Sequence, residues 1–359
     1  MISIIVPTYN ESDSVTPLTE QIDGVLSGRD YEIVFVDDDS PDGTAEKVSS
    51  ISDTFPVKAV VRKEGKRGLA PSVVDGFDHV TGEIVVVMDA DLQHPPTAIP
   101  ALVKEIEDGT DIAVASRYIP GGEMPGLSPV RKLVSKGATL LAHLILPRVR
   151  TVNDPMSGFF AFKRKVVEGI ELRPIGFKIL LEILTLGKFE TTKEVPIKFE
   201  ARDAGESKLN FREQIHYLKH LFSLFKRNGE FFRFCKFCTI GFSGVIVNLG
   251  IMWLLTEKAG IFYIASAAIS IEVSIISNFL LNNHFTFSDR KQRGFVAIVK
   301  RLIRFNTVSL IGVGINLFAI WLLTSVFGIY YLLSNCVGIV LATSWNYLVN
   351  NWWTWKWRS

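Results

Sequence analysis

Cysteine is scarce: three residues in 359 leave no room for a disulfide scaffold. Excess charge is missing too. With 39 Lys and Arg against 37 Asp and Glu, no basic tail marks a nucleic-acid binder, and no nucleic-acid partner is expected. There is no G-x-G-x-x-G and no G-x-x-x-x-G-K-[ST], so a dinucleotide fold and a P-loop are both unsupported. The start, Met1-Ile-Ser-Ile-Ile-Val-Pro7, has no basic n-region and no cleavable signal pattern, and the front half is expected to stay in the cytosol. Acidic residues nearly vanish from the back half. From Phe231 onward 11 basic residues face 3 acidic ones, net +8, which leaves 28 basic and 34 acidic, net −6, ahead of them. The length indicates two domains at roughly 100–200 residues each. A hydrophobic content of 48% and a mean hydropathy of +0.25 are too high for an ordinary soluble protein of this size.

The apolar excess falls in four stretches, about 234–256, 261–283, 305–327 and 329–351, each long enough to cross a bilayer as a helix. Segment 288–304 carries Arg290, Lys291, Arg293, Lys300, Arg301 and Arg304 against Asp289 alone, and the C-terminus adds Lys356 and Arg358. The positive-inside rule therefore puts that segment, both termini and the front domain in the cytosol. Trp352, Trp353, Trp355 and Trp357 suit an interfacial belt. An ungapped repeat runs at an offset of 68 residues: Gly244 with Gly312, Asn248 with Asn316, Trp253 with Trp321, Asn278 with Asn346, and Asn282-Asn283 with Asn350-Asn351. Each unit has two spans, so the repeat is parallel, about an axis along the membrane normal. Glu272, near the middle of the second span, is a costly intramembrane carboxylate whose counterpart is Val340. Cys235-x-x-Cys238 has no second pair and no nearby His, so packing is the better reading than zinc. Asn-rich helix ends on a doubled two-span unit resemble the small four-helix GtrA-like membrane proteins, over about 231–359. That resemblance implies an association with polyprenol-linked sugars.

The front half alternates strands (2–7, 32–37, 57–61, 83–88, 111–115) with helical stretches (13–27, 42–52, 68–80), the pattern of an α/β domain with a mostly parallel sheet. In such sheets ligands bind beyond the carboxyl ends of the strands. The polar clusters fall there: Tyr9-Asn10-Glu11, Asp37-Asp38-Asp39-Ser40, Asp89-Ala90-Asp91 and Ser116-Arg117. In Asp89-Ala90-Asp91-Leu92-Gln93, two alternate carboxylates beyond a buried strand can share one hard cation, Mg²⁺ or Mn²⁺, with Gln93 adding a carbonyl oxygen. Downstream, Phe211–Arg227 repeats Ile215, Leu218, Leu221, Phe222 and Phe225 at helical spacing among basic residues, as an interfacial helix would. The expected domains are 1–210 (catalytic), 211–230 (interfacial) and 231–359 (membrane).

Val6-Pro-Thr-Tyr-Asn-Glu11, Val36-Asp-Asp-Asp-Ser40, Arg67-Gly-Leu-Ala70 and Asp89-Ala-Asp-Leu-Gln-His-Pro95 together resemble the family-2 glycosyltransferases of the GT-A fold, over roughly 1–225. Ser116-Arg117, Asp154-Pro-Met-Ser-Gly-Phe159, Gly176-Phe-Lys-Ile-Leu-Leu-Glu182, Arg202 and Gly205-Glu-Ser-Lys-Leu209 narrow the likeness to the dolichyl- or polyprenyl-phosphate mannose synthases. The resemblance implies inverting transfer of mannose from GDP-mannose to a membrane polyprenyl (dolichyl) phosphate. It assigns Pro7, Tyr9, Glu11, Val36 and Asp38 to the nucleoside pocket, with Asp37 and Asp38 reaching base or ribose. Asp89, Ala90 and Asp91 join the nucleotide-sugar site, and Asp89, Asp91 and Gln93 hold the metal. Arg202 and Lys208 meet the diphosphate, and Lys178 the donor sugar. Arg117 and Arg131, with Ser135 as a weaker candidate, take the acceptor phosphate. The acidic motif of sugar-adding relatives is absent near 176–182, where Glu182 reads as a structural partner, and no base is needed, because a phosphate oxygen is already anionic near neutral pH. Two alternatives stay open on the sequence: UDP-glucose as donor, and a lipid-linked-sugar transporter with a regulatory nucleotide domain.

Overall fold

A computed structural model describes residues 1–65, 67–123, 129–198, 211–290 and 294–356. The chain divides into two compact units, Met1–Leu224 and Phe225–Arg358. Apolar runs that tolerate burial on both faces become the strands of the first unit: β1 (Ile2–Thr8), β2 (Tyr31–Asp37), β3 (Val57–Val61), β4 (Ile84–Val87) and β5 (Ile112–Ser116). Every residue of β1 and of β5 is buried. Two further strands, β6 (Phe160–Lys163) and β7 (Thr192–Pro196), were not expected from the sequence. The sheet order is β3-β2-β1-β4-β6-β5-β7, with β6 antiparallel to both neighbours and every other pairing parallel. Helices α1 (Ser12–Leu26), α2 (Thr44–Ser50), α3 (Leu69–Gly76) and α4 (Ile99–Glu107) connect the parallel strands. They bury Val15, Leu18 and Ile22 of α1, Val73 of α3, and Leu102 and Val103 of α4.

Chain order reverses direction across the sheet between β1 and β4, so the loops after these strands part and leave a crevice at their carboxyl ends. The three loops that rim it share a backbone feature. Asn10 after β1, Asp39 after β2 and Leu92 after β4 all adopt left-handed φ, at 59°, 57° and 59°, and they are the non-glycine residues that do so among those described. Asn and Asp accept this conformation readily; leucine does not.

Helices α5 (Pro129–Ile145), α6 (Ile179–Leu186) and α7 (Phe211–Arg227) complete the unit. The face of α7 carrying Tyr217, His220, Leu221 and Leu224 is buried, while Leu218 and Phe222 are exposed. The segment expected to lie on a lipid surface is thus also a packing helix. Glu182 of α6 is fully buried, accepts the Arg173 N–H at 2.8 Å and lies 3.3 Å from His220 Nε2 of α7.

In the second unit, four helices among the described residues are long and apolar enough to cross a membrane: Glu230–Lys258, Tyr263–Thr286, Phe295–Val326 and Tyr331–Thr354. Their regular parts are α8 (Glu230–Trp253), α9 (Tyr263–Leu281), α10 (Phe295–Trp321) and α11 (Tyr331–Val349). The third is helical ten residues earlier than the apolar run, because Lys300, Arg301 and Arg304 extend it instead of forming a loop. Each helix closes in a π-helical turn, Leu254–Lys258 matching Leu322–Val326 and Asn282–Thr286 matching Asn350–Thr354, at the 68-residue offset. Asn278 packs on Gly244, and Asn346 on Gly312, where an added Cβ would fall 2.6 Å from Asn346 Oδ1.

At one end α8, the Ser288–Arg290 turn and the end of α11 are pinned together. Glu230 accepts hydrogen bonds from Arg290 (2.8 Å), the Tyr347 hydroxyl (2.8 Å) and Asn351 (2.9 Å), while Arg233 pairs with Asp289. Trp355, expected at a lipid interface, is instead fully buried and stacked on Phe287 at 4.3 Å. Glu272 accepts from Asn306 Nδ2 of α10 at 3.0 and 3.2 Å.

Candidate active site

A cavity of about 390 Å³ opens at the crevice, lined by Pro7, Thr8, Tyr9 and Glu11 after β1, Asp38 after β2, Arg67, Gly68, Leu69 and Ser72 at the start of α3, and Asp89, Ala90 and Asp91 after β4. The sequence had singled out Pro7, Tyr9, Glu11, Asp38, Asp89, Ala90 and Asp91 for one site, and the fold brings all seven together. Arg67, which the sequence marked only as part of a motif, lies with its guanidinium carbon 5.9 Å from the centre of the exposed Tyr9 ring.

Other expectations need correction. Val36 is a fully buried core residue of β2 and does not line the cavity, because its side chain packs against α3, where a Cβ at Gly76 would fall 3.1 Å from Val36 Cγ2. Asp37 is buried and engaged by the neighbouring strand and its own turn: it accepts Thr8 Oγ1 at 3.0 Å, Ser40 N at 2.8 Å and Ser40 Oγ at 2.5 Å. Asp38 does reach the cavity, yet its carboxylate already accepts the Gly68 N–H at 2.6 Å and Ser72 Oγ at 3.0 Å and pairs with Arg62. Burial works against the Arg62 charge, but its bonds to Asp75 and Asp38 raise its pKa above the ordinary value. Arg202 and Lys208 lie outside the described residues. The Arg131 backbone belongs to α5, and its side chain is likewise outside the description. Ser135 shares a 2.7 Å hydrogen bond with the Tyr118 hydroxyl.

The carboxylate loop is held from behind. His94 is buried, and its Nδ1 accepts the Asp89 N–H at 3.1 Å. Burial pushes the imidazole down to about 4, so the ring is neutral near pH 7, and its 3.7 Å approach to Asp89 Oδ2 is not an ion pair. Asp91 Oδ1 accepts the Gln93 N–H at 3.2 Å.

Two cations flank the carboxylates. Arg117 is clamped by the fully buried Asp154, Nε to Oδ2 at 2.7 Å and a terminal nitrogen to Oδ1 at 2.9 Å, while its own N–H donates to Oδ2 at 3.1 Å. Burial opposes the charge, but the Asp154 bonds outweigh it and the Arg117 pKa rises. Glu194 of β7 accepts the Asn153 and Asp154 N–H groups at 3.0 and 3.1 Å, bracing that clamp. Nothing in the sequence distinguishes Glu194 from any edge-strand glutamate. Lys178 donates to Met156 O at 3.3 Å, and burial, with the Arg117 charge beside it, pushes its pKa down to about 8.

Among the described residues no group of three or more His, Cys, Asp or Glu is arranged to hold a metal ion by itself. Magnesium-type sites seldom need one: one or two carboxylates suffice when substrate phosphates complete the shell. Asp89 and Asp91 are the residues that would supply that donor set, and the glycine at 158 keeps the space beside Asp89 clear, since a Cβ there would lie 3.1 Å from Oδ2.

Residues 3–170 match the profile of glycosyl transferase family 2, and 236–355 that of the GtrA/DPMS transmembrane domain. Over 99% of its length the chain is 46% identical to the dolichol-phosphate mannosyltransferase of Pyrococcus furiosus, of which it covers 99%. The chain belongs to the dolichol-phosphate mannosyltransferase family. A second member, from Saccharomyces cerevisiae, is 36% identical over 62% of this chain and 86% of its own length. Among solved structures, glucosyl-3-phosphoglycerate synthase from Mycobacterium tuberculosis in complex with uridine-diphosphate aligns with a TM-score of 0.50 at 20% identity, over 63% of this chain and 80% of that one, a likeness of fold alone. The protein is therefore a membrane glycosyltransferase, with its cavity inside the segment that matches the transferase profile.

Proposed function

We propose that this family member transfers mannose from GDP-mannose to a polyprenyl (dolichyl) phosphate in the membrane, with inversion, releasing GDP. The observation that carries the reading is the cavity in which Asp89 and Asp91 face Tyr9, Glu11 and Asp38 at the sheet's switch point. The nucleoside enters between the loops after β1 and β2, and its diphosphate points toward the loop after β4. A divalent cation, Mg²⁺ or Mn²⁺, held by Asp89 and Asp91 would neutralise the departing diphosphate. Arg202 and Lys208 are assigned to the same diphosphate.

The acceptor phosphate oxygen attacks the anomeric carbon as the bond to the diphosphate breaks, and no proton has to be removed. The protein's task is to hold two anions together, which fixed cations do electrostatically. Arg117, oriented by Asp154, and Arg131 are the proposed acceptor clamps, with Ser135 nearby in α5; a guanidinium fork suits a phosphate. Exposed Leu218 and Phe222 on α7 suit contact with lipid. The charge asymmetry supports a cytosolic catalytic unit and cytosolic termini.

The test is transfer of radiolabelled sugar from GDP-mannose, and separately from UDP-glucose, to a short polyprenyl phosphate, with Mn²⁺ and with EDTA. Mannosyl lipid that forms only with the cation is the expected product. Glucosyl lipid alone would overturn the donor, and cation-independent transfer would overturn the metal assignment.

Lys178 gives the reaction a pH signature. Its charge is lost as pH rises through about 8, so kcat/KM for the donor should fall on that alkaline limb, and Lys178→Arg should carry the limb upward. Stability runs the opposite way. Between about 8 and the ordinary 10.5 the unfolded chain binds more protons at this residue than the folded one, so Lys178 lowers stability less as pH rises through that window. An alkaline limb unmoved in Lys178→Arg would exclude the lysine from the step.

A further inference from the structure

The Asp89–Asp91 loop has an unusual backbone and an unusual neighbour. Leu92 sits inside it at φ 59°, a conformation a leucine adopts only when its surroundings impose it. Two residues after Leu92 comes His94, buried, its ring 5.3 Å from the Phe159 ring and its Nδ1 accepting the Asp89 N–H at 3.1 Å. Behind both stands Gly158. A Cβ on that residue would fall 3.1 Å from Asp89 Oδ2 and 3.1 Å from His94 Cε1, closer than either neighbour tolerates without moving.

The turn that contributes Gly158 does more than stand behind the loop. Asp154 at its start clamps Arg117, and the Met156 carbonyl accepts from Lys178. Ser157 Oγ donates to Ala115 O at 2.8 Å and accepts the Phe159 N–H at 3.2 Å, fixing the turn to the end of β5. One short turn therefore meets the carboxylate loop on one side and both cations on the other.

We propose that His94 is a positioning residue for the Asp89–Asp91 pair, acting against Gly158, and that the 154–159 turn sets the register of Arg117 and Lys178 to that pair. This rests on the reading that Asp89 and Asp91 hold a divalent cation. Groups behind metal ligands typically change metal affinity by about 10–100-fold when removed.

The test is direct Mn²⁺ binding to the purified full-length chain, in the presence of GDP, followed by the electron paramagnetic resonance signal of free Mn²⁺. His94→Leu removes the acceptor for the Asp89 N–H and should weaken Mn²⁺ binding by at least about tenfold. His94→Asn, whose Oδ1 can take the same N–H, should bind Mn²⁺ within roughly threefold of wild type, a rescue that loss of packing alone would not give. Gly158→Ala leaves the histidine in place and crowds the carboxylate from the other side; it should weaken Mn²⁺ binding like His94→Leu and carries the test should that variant not fold. GDP affinity without metal should be unchanged in all three. Wild-type Mn²⁺ affinity in folded His94→Leu or Gly158→Ala would overturn the positioning role while leaving the metal reading intact. Wild-type Mn²⁺ binding that survives Asp91→Ala would overturn the metal reading, and the proposal with it.

Discussion

Asp91→Ala should reduce kcat for mannosyl transfer by about 10³-fold, equivalent to ~4 kcal/mol of lost transition-state stabilisation. Asp91 lies on the cavity wall two residues from Asp89, and the pair is the hard-oxygen donor set proposed above for the cation. Removing one carboxylate leaves the cation with too few protein ligands beside the diphosphate, and the negative charge that develops on the leaving group goes uncompensated. The loss should appear in kcat, because Asp91 lies on the cavity wall. The check is transfer at saturating GDP-mannose across a Mn²⁺ titration, with a thermal unfolding scan alongside. Transfer at the wild-type rate would remove Asp91 from the chemistry.

Asp154→Ala should strongly destabilise the first unit. Its carboxylate is fully buried and binds three Arg117 donors, the backbone N–H included. Taking away one partner of a buried pair strands the other charge, at a cost of about 3–5 kcal/mol, which for a unit of this size lowers the unfolding midpoint by roughly 6–20 °C. The paired change Arg117→Met with Asp154→Leu should recover much of that stability and remain inactive, which separates the clamp's structural part from its chemical part. A midpoint unchanged in Asp154→Ala would show that Arg117 finds another partner.

What the sequence disclosed follows from how each signal is written. Runs such as Ile84–Val87 announce buried strands, and polar clusters directly after them announce the crevice, so Asp38, Asp89 and Asp91 could be gathered before any coordinates. Strand β6 escaped because Phe160–Lys163 is four residues long, follows a turn and pairs antiparallel; β7 escaped because Thr-Lys-Glu-Val-Pro carries little apolar signal. Asp37 and Asp38 are adjacent in the sequence and opposite in the fold, one turned into its own loop and the other toward the cavity. Trp355 has the composition of a lipid-interface residue and the environment of a core residue, because the aromatic cluster that buries it comes from helices distant in sequence. The clamp on Arg117 was half legible: Asp154 stood in a quoted motif, but its partner could be found only by folding β5 against the 154–159 turn.

The seating of Asn278 on Gly244 and of Asn346 on Gly312 bears on how the membrane unit meets bilayers of different thickness. Each pair is joined by polar bonds near the same level, Ser274 Oγ to Gly244 O at 2.6 Å in one hairpin and Trp345 Nε1 to Val308 O at 3.3 Å in the other. Sliding either helix along its partner by one turn would lift an amide off its glycine and strand these donors in hydrocarbon. Helices held this way cannot accommodate a thinner or thicker bilayer by shearing past one another. The hydrophobic mismatch must instead be taken up by tilting each hairpin as a rigid plate, or by the lipids deforming around it.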